Sequence, residues 1–341
     1  MDIKCNLIID SCCDLPYEVV DRDGVYLLKF PYIDDEGEHL DDLYRSRSAH
    51  DFYESMRNGS EPQTAQIPMP ALREAFEWAH EQGKPAVYLS FSSGLSGTFD
   101  TACLFLDQVK QEIPDLDVRM VDTKLASIAE AFLVYEALRQ REKGLTADEM
   151  VAWAEEARYF VDRQFMVDDL EALRRGGRIP SSVAYAGSKL DVKPLLGIDA
   201  DGKLALTGVA RGRKKGIRAL HEYYMKRRSS DAPGQNVVIG NADCPKDAER
   251  LMGLISKEDD SVMFLETSIG PVIGSHVGPG MIAIVFWGQD CRADISMADR
   301  IANKVRGKKQ WLSKSAFLKS LRIVGGLPGG ACSRIAEWAI R

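Results

Sequence analysis

The segment Phe91-Ser92-Ser93-Gly94-Leu95-Ser96-Gly97-Thr98 gathers small hydroxyl residues and glycines between an apolar run and a helical pattern. Unpaired backbone N–H groups at a helix start attract an anion, serines add donors without bulk, and glycines let a ligand approach the backbone. A carboxylate or a phosphate suits such a loop; an N-cap loop with no ligand has the same composition. A second segment, Ile269-Gly270-Pro271-Val272-Ile273-Gly274-Ser275-His276-Val277-Gly278-Pro279-Gly280, sets one histidine between Gly-Pro and Pro-Gly punctuation. It reads as a rigid loop that fixes the imidazole, either as a structural hydrogen bonder or as a functional group. A third, Glu171 to Pro180, places Arg174, Arg175 and Arg178 around Gly176-Gly177, and Arg211-Gly212-Arg213-Lys214-Lys215 forms a further basic cluster. Arginines beside glycines suit phosphate, although a solvated helix end has the same pattern.

Several chemistries are excluded by pattern. A hydrolase elbow needs G-x-S-x-G, and here Gly97 follows Ser96 directly while Thr98 takes the last glycine's place. No P-loop pattern occurs, and no G-x-G-x-x-G follows the first strand, so no dinucleotide cofactor is expected. The seven cysteines, an odd and scattered set, form neither a disulfide framework nor a zinc-ligand spacing. They read as reduced thiols in a cytoplasmic protein. The chain carries 44 Lys or Arg against 51 Asp or Glu, a net charge of −7, unlike a general nucleic-acid binder. No stretch is apolar enough for stable membrane insertion.

The elements that must position these segments alternate between strand and helix. Asn6–Ile9 is a strand ending in Asp10-Ser11, polar residues at the sheet edge where α/β ligands sit. Val25–Tyr32 reads as one strand, and the acidic stretch 34–37 as a turn. Helix at 70–82, strand at 86–91, helix at 97–113, strand at 118–121 and helices at 127–143 and 146–161 follow. Thr146 and Glu149 form a capping box. This alternation predicts a first α/β domain, 1–161, on a parallel sheet. Strands at 164–167, 194–198, 203–206, 236–240, 262–266 and 281–286 predict a second, 162–290, with antiparallel character. Its hairpin turns at Asp199-Ala200-Asp201-Gly202. From 291 to 341, eleven Lys or Arg face three Asp or Glu, a local charge of +8. Amphipathic apolar residues there suggest a helical extension, either a docking element or one that packs on the rest.

Taken together, the ordered pieces identify a resemblance to the DegV family of fatty-acid-binding proteins, from about residue 5 to about residue 289. They are Ile9-Asp10-Ser11 with Asp14-Leu15-Pro16, Thr64-Ala65-Gln66, Ser92 to Thr98, Asp122-Thr123, Asp168-Asp169-Leu170 leading to Gly176-Gly177-Arg178-Ile179, Lys193-Pro194, Arg211-Gly212, and the histidine segment. The resemblance implies two α/β domains with a lipid tunnel between them. It implies a carrier, not an enzyme, that binds one long-chain fatty acid. A separate ATP-dependent kinase subunit then phosphorylates the carboxylate to an acyl phosphate for phospholipid metabolism. Carried over residue by residue, Thr64, Ser96, Gly97 and His276 hold the carboxylate, and Ser93 is a further candidate in the same loop. Arg178 and Arg211 are implied to meet the kinase and its phosphate chemistry.

The energetics suit this reading. Each buried CH₂ contributes about 0.8 kcal/mol, so a sixteen-carbon tail contributes on the order of 10 kcal/mol before costs. Neutral donors then orient a carboxylate without weakening it as a nucleophile, as a salt bridge would. The chain departs from the family's usual T-S-Q-P at Ala65 and Ile67, and has Ser127-Ile128-Ala129-Glu130 where glycines are common. The competing reading is a stand-alone acyl hydrolase using Ser96 and His276.

Overall fold

The computed structural model describes residues 2–179, 191–229 and 235–294. Strand β1 (Asn6–Asp10) is buried throughout and runs into a 3-10 turn, Ser11–Cys13. Helix α1 (Tyr17–Val20) leads to β2 (Val25–Leu28), which pairs parallel with β1. The run expected as one strand over 25–32 is two. β3 (Pro31–Asp34) leaves the parallel sheet and pairs antiparallel with β4 (Gly37–Leu40). At the break, Phe30 N–H donates to Ser11 Oγ at 3.1 Å, and the Phe30 carbonyl accepts from Asp41 N–H. Pro31 then has no N–H with which to continue the first ladder. The expected acidic turn is present, and its Gly37 adopts φ +123°.

Helix α2 (Ala49–Arg57) is capped by Ser48, whose hydroxyl accepts from Asp51 N–H. The two-residue strand β5 (Gln63–Thr64) adds to β3, with Thr64 opposite Tyr32. Next come α3 (Met69–Glu81), β6 (Ala86–Ser90), α4 (Thr98–Glu112), β7 (Val118–Asp122), α5 (Ile128–Glu142) and α6 (Ala147–Ala157). The parallel sheet has the order β2-β1-β6-β7. The expected Thr146–Glu149 capping box starts α6. Most of α5 is buried, because it packs on the Ser11–Cys13 turn and on strands of the second sheet.

That second sheet is built from β8 (Val161–Met166), β9 (Val192–Ile198), β10 (Leu204–Arg211), β11 (Asn236–Asn241), β12 (Met263–Ser268) and β13 (Ile282–Trp287). Its order is β10-β9-β8-β13-β11-β12, antiparallel except for β11 beside β12. The expected hairpin at 199–202 is present, and its ladder continues to Arg211 opposite Val192. Helices α7 (Glu171–Arg175), α8 (Arg213–Arg227), α9 (Pro245–Ser256) and α10 (Pro271–Val277) are the remaining α-helices among the described residues. α8 and α9 cover a separate core that includes Met166, Ile217, Leu220 and Phe286.

The histidine segment differs from its reading as a loop, because Pro271 to Val277 is helical. Proline tolerates the first helical turn, where its missing N–H has no partner to lose, and Gly278 at φ +74° ends the helix. Met1–Cys291 forms one compact unit, and the expected extension from 291 lies outside the described residues apart from Cys291–Asp294. Among the described residues, no helix is long and apolar enough to cross a membrane.

Candidate functional site

Three short pieces of chain deliver the polar residues. Thr64 comes from β5, Ser96 and Gly97 from the start of α4, and His276 from the last turn of α10. Thr64, Ser96 and His276, with Gln66 and Arg178, line a cavity of about 290 Å³ whose apolar wall includes Phe30, Phe91 and Ile273. Thr64 Oγ1 lies 2.8 Å from His276 Nε2, although 212 residues separate them. Ser96 Oγ lies 3.0 Å from Thr98 Oγ1 and accepts from Thr98 N–H at 3.2 Å, so it shapes the first turn of α4.

His276 is held neutral. Burial, and then the charges of Arg178 and Arg175, push its pKa down to about 4. Its Nδ1 is buried with no hydrogen-bond partner. A neutral imidazole has one N–H and one bare nitrogen, and burying an N–H without an acceptor is the costlier arrangement. The proton therefore belongs on Nε2, which donates to Thr64. That leaves the Thr64 hydroxyl proton to point elsewhere.

The double glycine makes this placement possible. A Cβ built on Gly176 would lie 2.1 Å from His276 Nδ1, so the ring occupies the space that any side chain there would need. Gly177 serves a different purpose, adopting φ +71° with nothing near its missing Cβ. The turn then delivers Arg178, whose Nε donates to the Leu95 carbonyl at 3.3 Å and whose Nη1 donates to the Gly176 carbonyl at 2.6 Å.

Leu95, Arg178, Ile273 and His276 also line a second cavity, of about 70 Å³ and almost wholly apolar. Its walls come from both halves of the unit, with Ala126 and Ile128 on one side and Phe165, Ile198 and Val285 on the other. Ser127 lies between those first two at φ +55°, a conformation costly to a side-chain-bearing residue. Its hydroxyl donates to Asp14 Oδ2 at 2.5 Å, which helps hold the strained backbone.

Other sequence-predicted residues lie elsewhere. Ser93 is turned away from the larger cavity: its hydroxyl donates to Asp122 Oδ2 at 2.5 Å and accepts from Lys124 Nζ at 2.6 Å. Arg211 is exposed at the end of β10 and lines neither cavity. Asp10 and Ser11, expected at a ligand-binding edge, are fully buried. Asp10 Oδ2 accepts from Phe91 N–H at 2.8 Å, and Ser11 holds Phe30, so both brace cavity walls from behind. Burial pushes Asp10 up to about 7 and Glu130, which it faces, well above the ordinary range. Two buried carboxyls in contact cannot both ionise, so the pair retains a proton. Gln66 is a site residue not among those singled out for the carboxylate. Its amide covers Gly97, where a Cβ would lie 2.5 Å from Nε2. The sequence signal for it is the two-residue spacing from Thr64, which puts both on one side of an extended chain.

The family model described as "Uncharacterised protein, DegV family" matches residues 4–289. A DegV domain-containing protein of Clostridium perfringens is 36% identical over 283 residues, 83% of this chain and 97% of that one. Among solved structures, a DegV lipid-binding protein from Thermotoga maritima aligns with a TM-score of 0.71 at 26% identity, covering 84% of this chain and 99% of that chain. A DegV family protein from Thermus thermophilus, described as fatty-acid-binding, aligns at 0.72 and 26%, covering 84% and 100%. With its α/β sheets, its paired cavities and these matches over most of its length, the chain belongs to the DegV family.

Proposed function

We propose that this protein binds one long-chain fatty acid, with the carboxylate in the larger cavity and the tail in the apolar one. It then presents the carboxylate to a separate ATP-dependent kinase that forms an acyl phosphate for phospholipid metabolism in the cytoplasm. The observation that carries this reading is His276, which lines both cavities and is hydrogen-bonded to Thr64 in the larger one. With the imidazole neutral and donating to Thr64, the threonine hydroxyl is left to donate to a carboxylate oxygen. Gly97 and Ser96 lie on the same side, at the start of a 15-residue helix whose dipole favours the anion. The structures of DegV relatives described as lipid- or fatty-acid-binding support the ligand class.

The apolar cavity, at about 70 Å³, is far smaller than the roughly 300–1,000 Å³ of ligand pockets. Tail entry therefore spreads the walls contributed by the two expected domains, 1–161 and 162–290. The hydrolase reading finds no support in the geometry. His276 Nε2 is bonded to Thr64, and Ser96 Oγ to Thr98, so no base addresses the serine.

Organic extraction and mass spectrometry of the purified protein test the carrier: a free fatty acid is expected, and a covalent acyl-serine would overturn it. For the kinase step, Arg178→Ala and Arg211→Ala are expected to reduce acyl-phosphate formation more than fatty-acid affinity. Loss of lipid binding with normal kinase docking would reverse the assignment.

A further inference from the structure

The wall of the apolar cavity contains one charged group that the carboxylate site does not use. Arg163, on β8, is 8% exposed and lines that cavity beside Ile198 and Leu204. Its Nη1 donates to the Val161 carbonyl at 2.6 Å, and its Nη2 to the carbonyls of Ile198 at 2.8 Å and Asp199 at 3.3 Å. Its Nε is buried and has no acceptor.

The acids nearest in the chain favour its charged form but do not hydrogen-bond its guanidinium. Asp162, its neighbour on the opposite face of the strand, pairs with Arg227 at 2.6 Å and accepts from the Tyr223 hydroxyl. Asp199 Oδ1 accepts from the N–H groups of Asp201 and Lys203. A buried guanidinium with an unmet donor and no paired carboxylate is unfavourable unless something else supplies an acceptor. Burial already lowers the Arg163 pKa from its ordinary value, which shows the same cost.

In the reading above the ligand's carboxylate lies in the larger cavity, which Arg163 does not line. The Thr64–His276 pair has its own donors, and neither of its residues is among the partners of Arg163.

We propose that the preferred ligand is a long-chain fatty acid carrying an oxygen acceptor on its tail, such as a hydroxy or oxo group, which accepts from Arg163 Nε. This rests on the fatty-acid reading above and specifies its substrate class. The polar tail atom would satisfy an unmet donor in a wall that is mostly apolar.

The test is a competition-binding series on the full chain, with octadecanoic acid, its mid-chain hydroxy and oxo derivatives, and octadecanedioic acid. At least one oxygenated acid is expected to bind about tenfold more tightly than octadecanoic acid, the scale of one hydrogen bond from a charged donor. In Arg163→Met that ratio should collapse toward one, and Arg163→Lys should restore part of it. If Arg163→Met does not fold, the wild-type ratio alone decides. Octadecanoic acid binding as tightly as every oxygenated acid would overturn the inference and leave the fatty-acid reading standing. A preference that survives in folded Arg163→Met would overturn it too. If no member of the series binds, both readings fall.

Discussion

Replacing Gly176 with alanine tests the site where its geometry is tightest. The added Cβ would lie 2.1 Å from His276 Nδ1, where ordinary contact begins at 3.4 Å, so the ring must retreat by about 1.3 Å. The helix carrying it has little room to move, because Gly274 lies against the Tyr53 hydroxyl and the Phe52 ring. Tyr44 and Tyr53 both donate to the Ile269 carbonyl just ahead of that helix, at 2.7 and 2.8 Å. The displacement therefore falls on the imidazole, and the 2.8 Å bond to Thr64 is stretched beyond hydrogen-bond range. Losing that bond and the threonine orientation it sets costs roughly 1–3 kcal/mol of ligand binding, or about 5- to 150-fold in Kd. Isothermal titration with a fatty acid reads this directly, and a melting curve separates it from lost stability. The neighbouring glycine supplies the control. Gly177→Ala places a Cβ in open space but at φ +71°, so it should lower the melting temperature and leave Kd close to wild type. A Gly176→Ala protein with wild-type affinity, or two variants with the same effect, would refute the argument that the first glycine exists to admit the imidazole.

Two further outcomes follow from other parts of the site. Ser96→Ala should weaken fatty-acid binding by about 1–3 kcal/mol, the cost of an unpaired buried polar group, and unchanged affinity would remove Ser96 from the carboxylate site. The buried acids give a pH dependence of defined sign: burial raises Asp10 and Asp41 to about 7 in the folded state, so folding favours their protonated forms. Their contribution is complete below the ordinary carboxylate pKa and is lost as pH rises toward about 7, a change on the order of a few kcal/mol. Urea unfolding at pH 5 and pH 8 should show a smaller difference for Asp10→Asn than for wild type; an equal difference would mean that Asp10 ionises freely in the fold.

What the sequence revealed divides according to how local the determinant is. Strands β1 and β6 are buried on both faces and therefore appear as unbroken apolar runs, legible without any partner. The capping box and the Asp199 hairpin are equally local, each set by residues three or four apart. The run at 25–32 misleads because its break depends on Ser11, far upstream, capturing Phe30. The histidine segment misleads for another reason. Gly-Pro and Pro-Gly mark a turn or the two ends of a helix with the same letters, and seven residues give too little periodicity to choose. Thr64 and its pairing with His276 were reachable only through the ordered family motifs, since no spacing rule links it to a histidine 212 positions away. Gly176 and Arg163 show the limit more sharply. One is a glycine because an imidazole from another helix fills its side-chain space, and the other is a charge in a cavity wall whose nearest acids are already engaged. Both facts belong to contacts between distant segments. A sequence pattern can say that Gly-Gly turns and that arginine is charged, but only the packed chain shows which donor is left without an acceptor, and an unmet donor in an apolar wall bears on what the cavity was selected to hold.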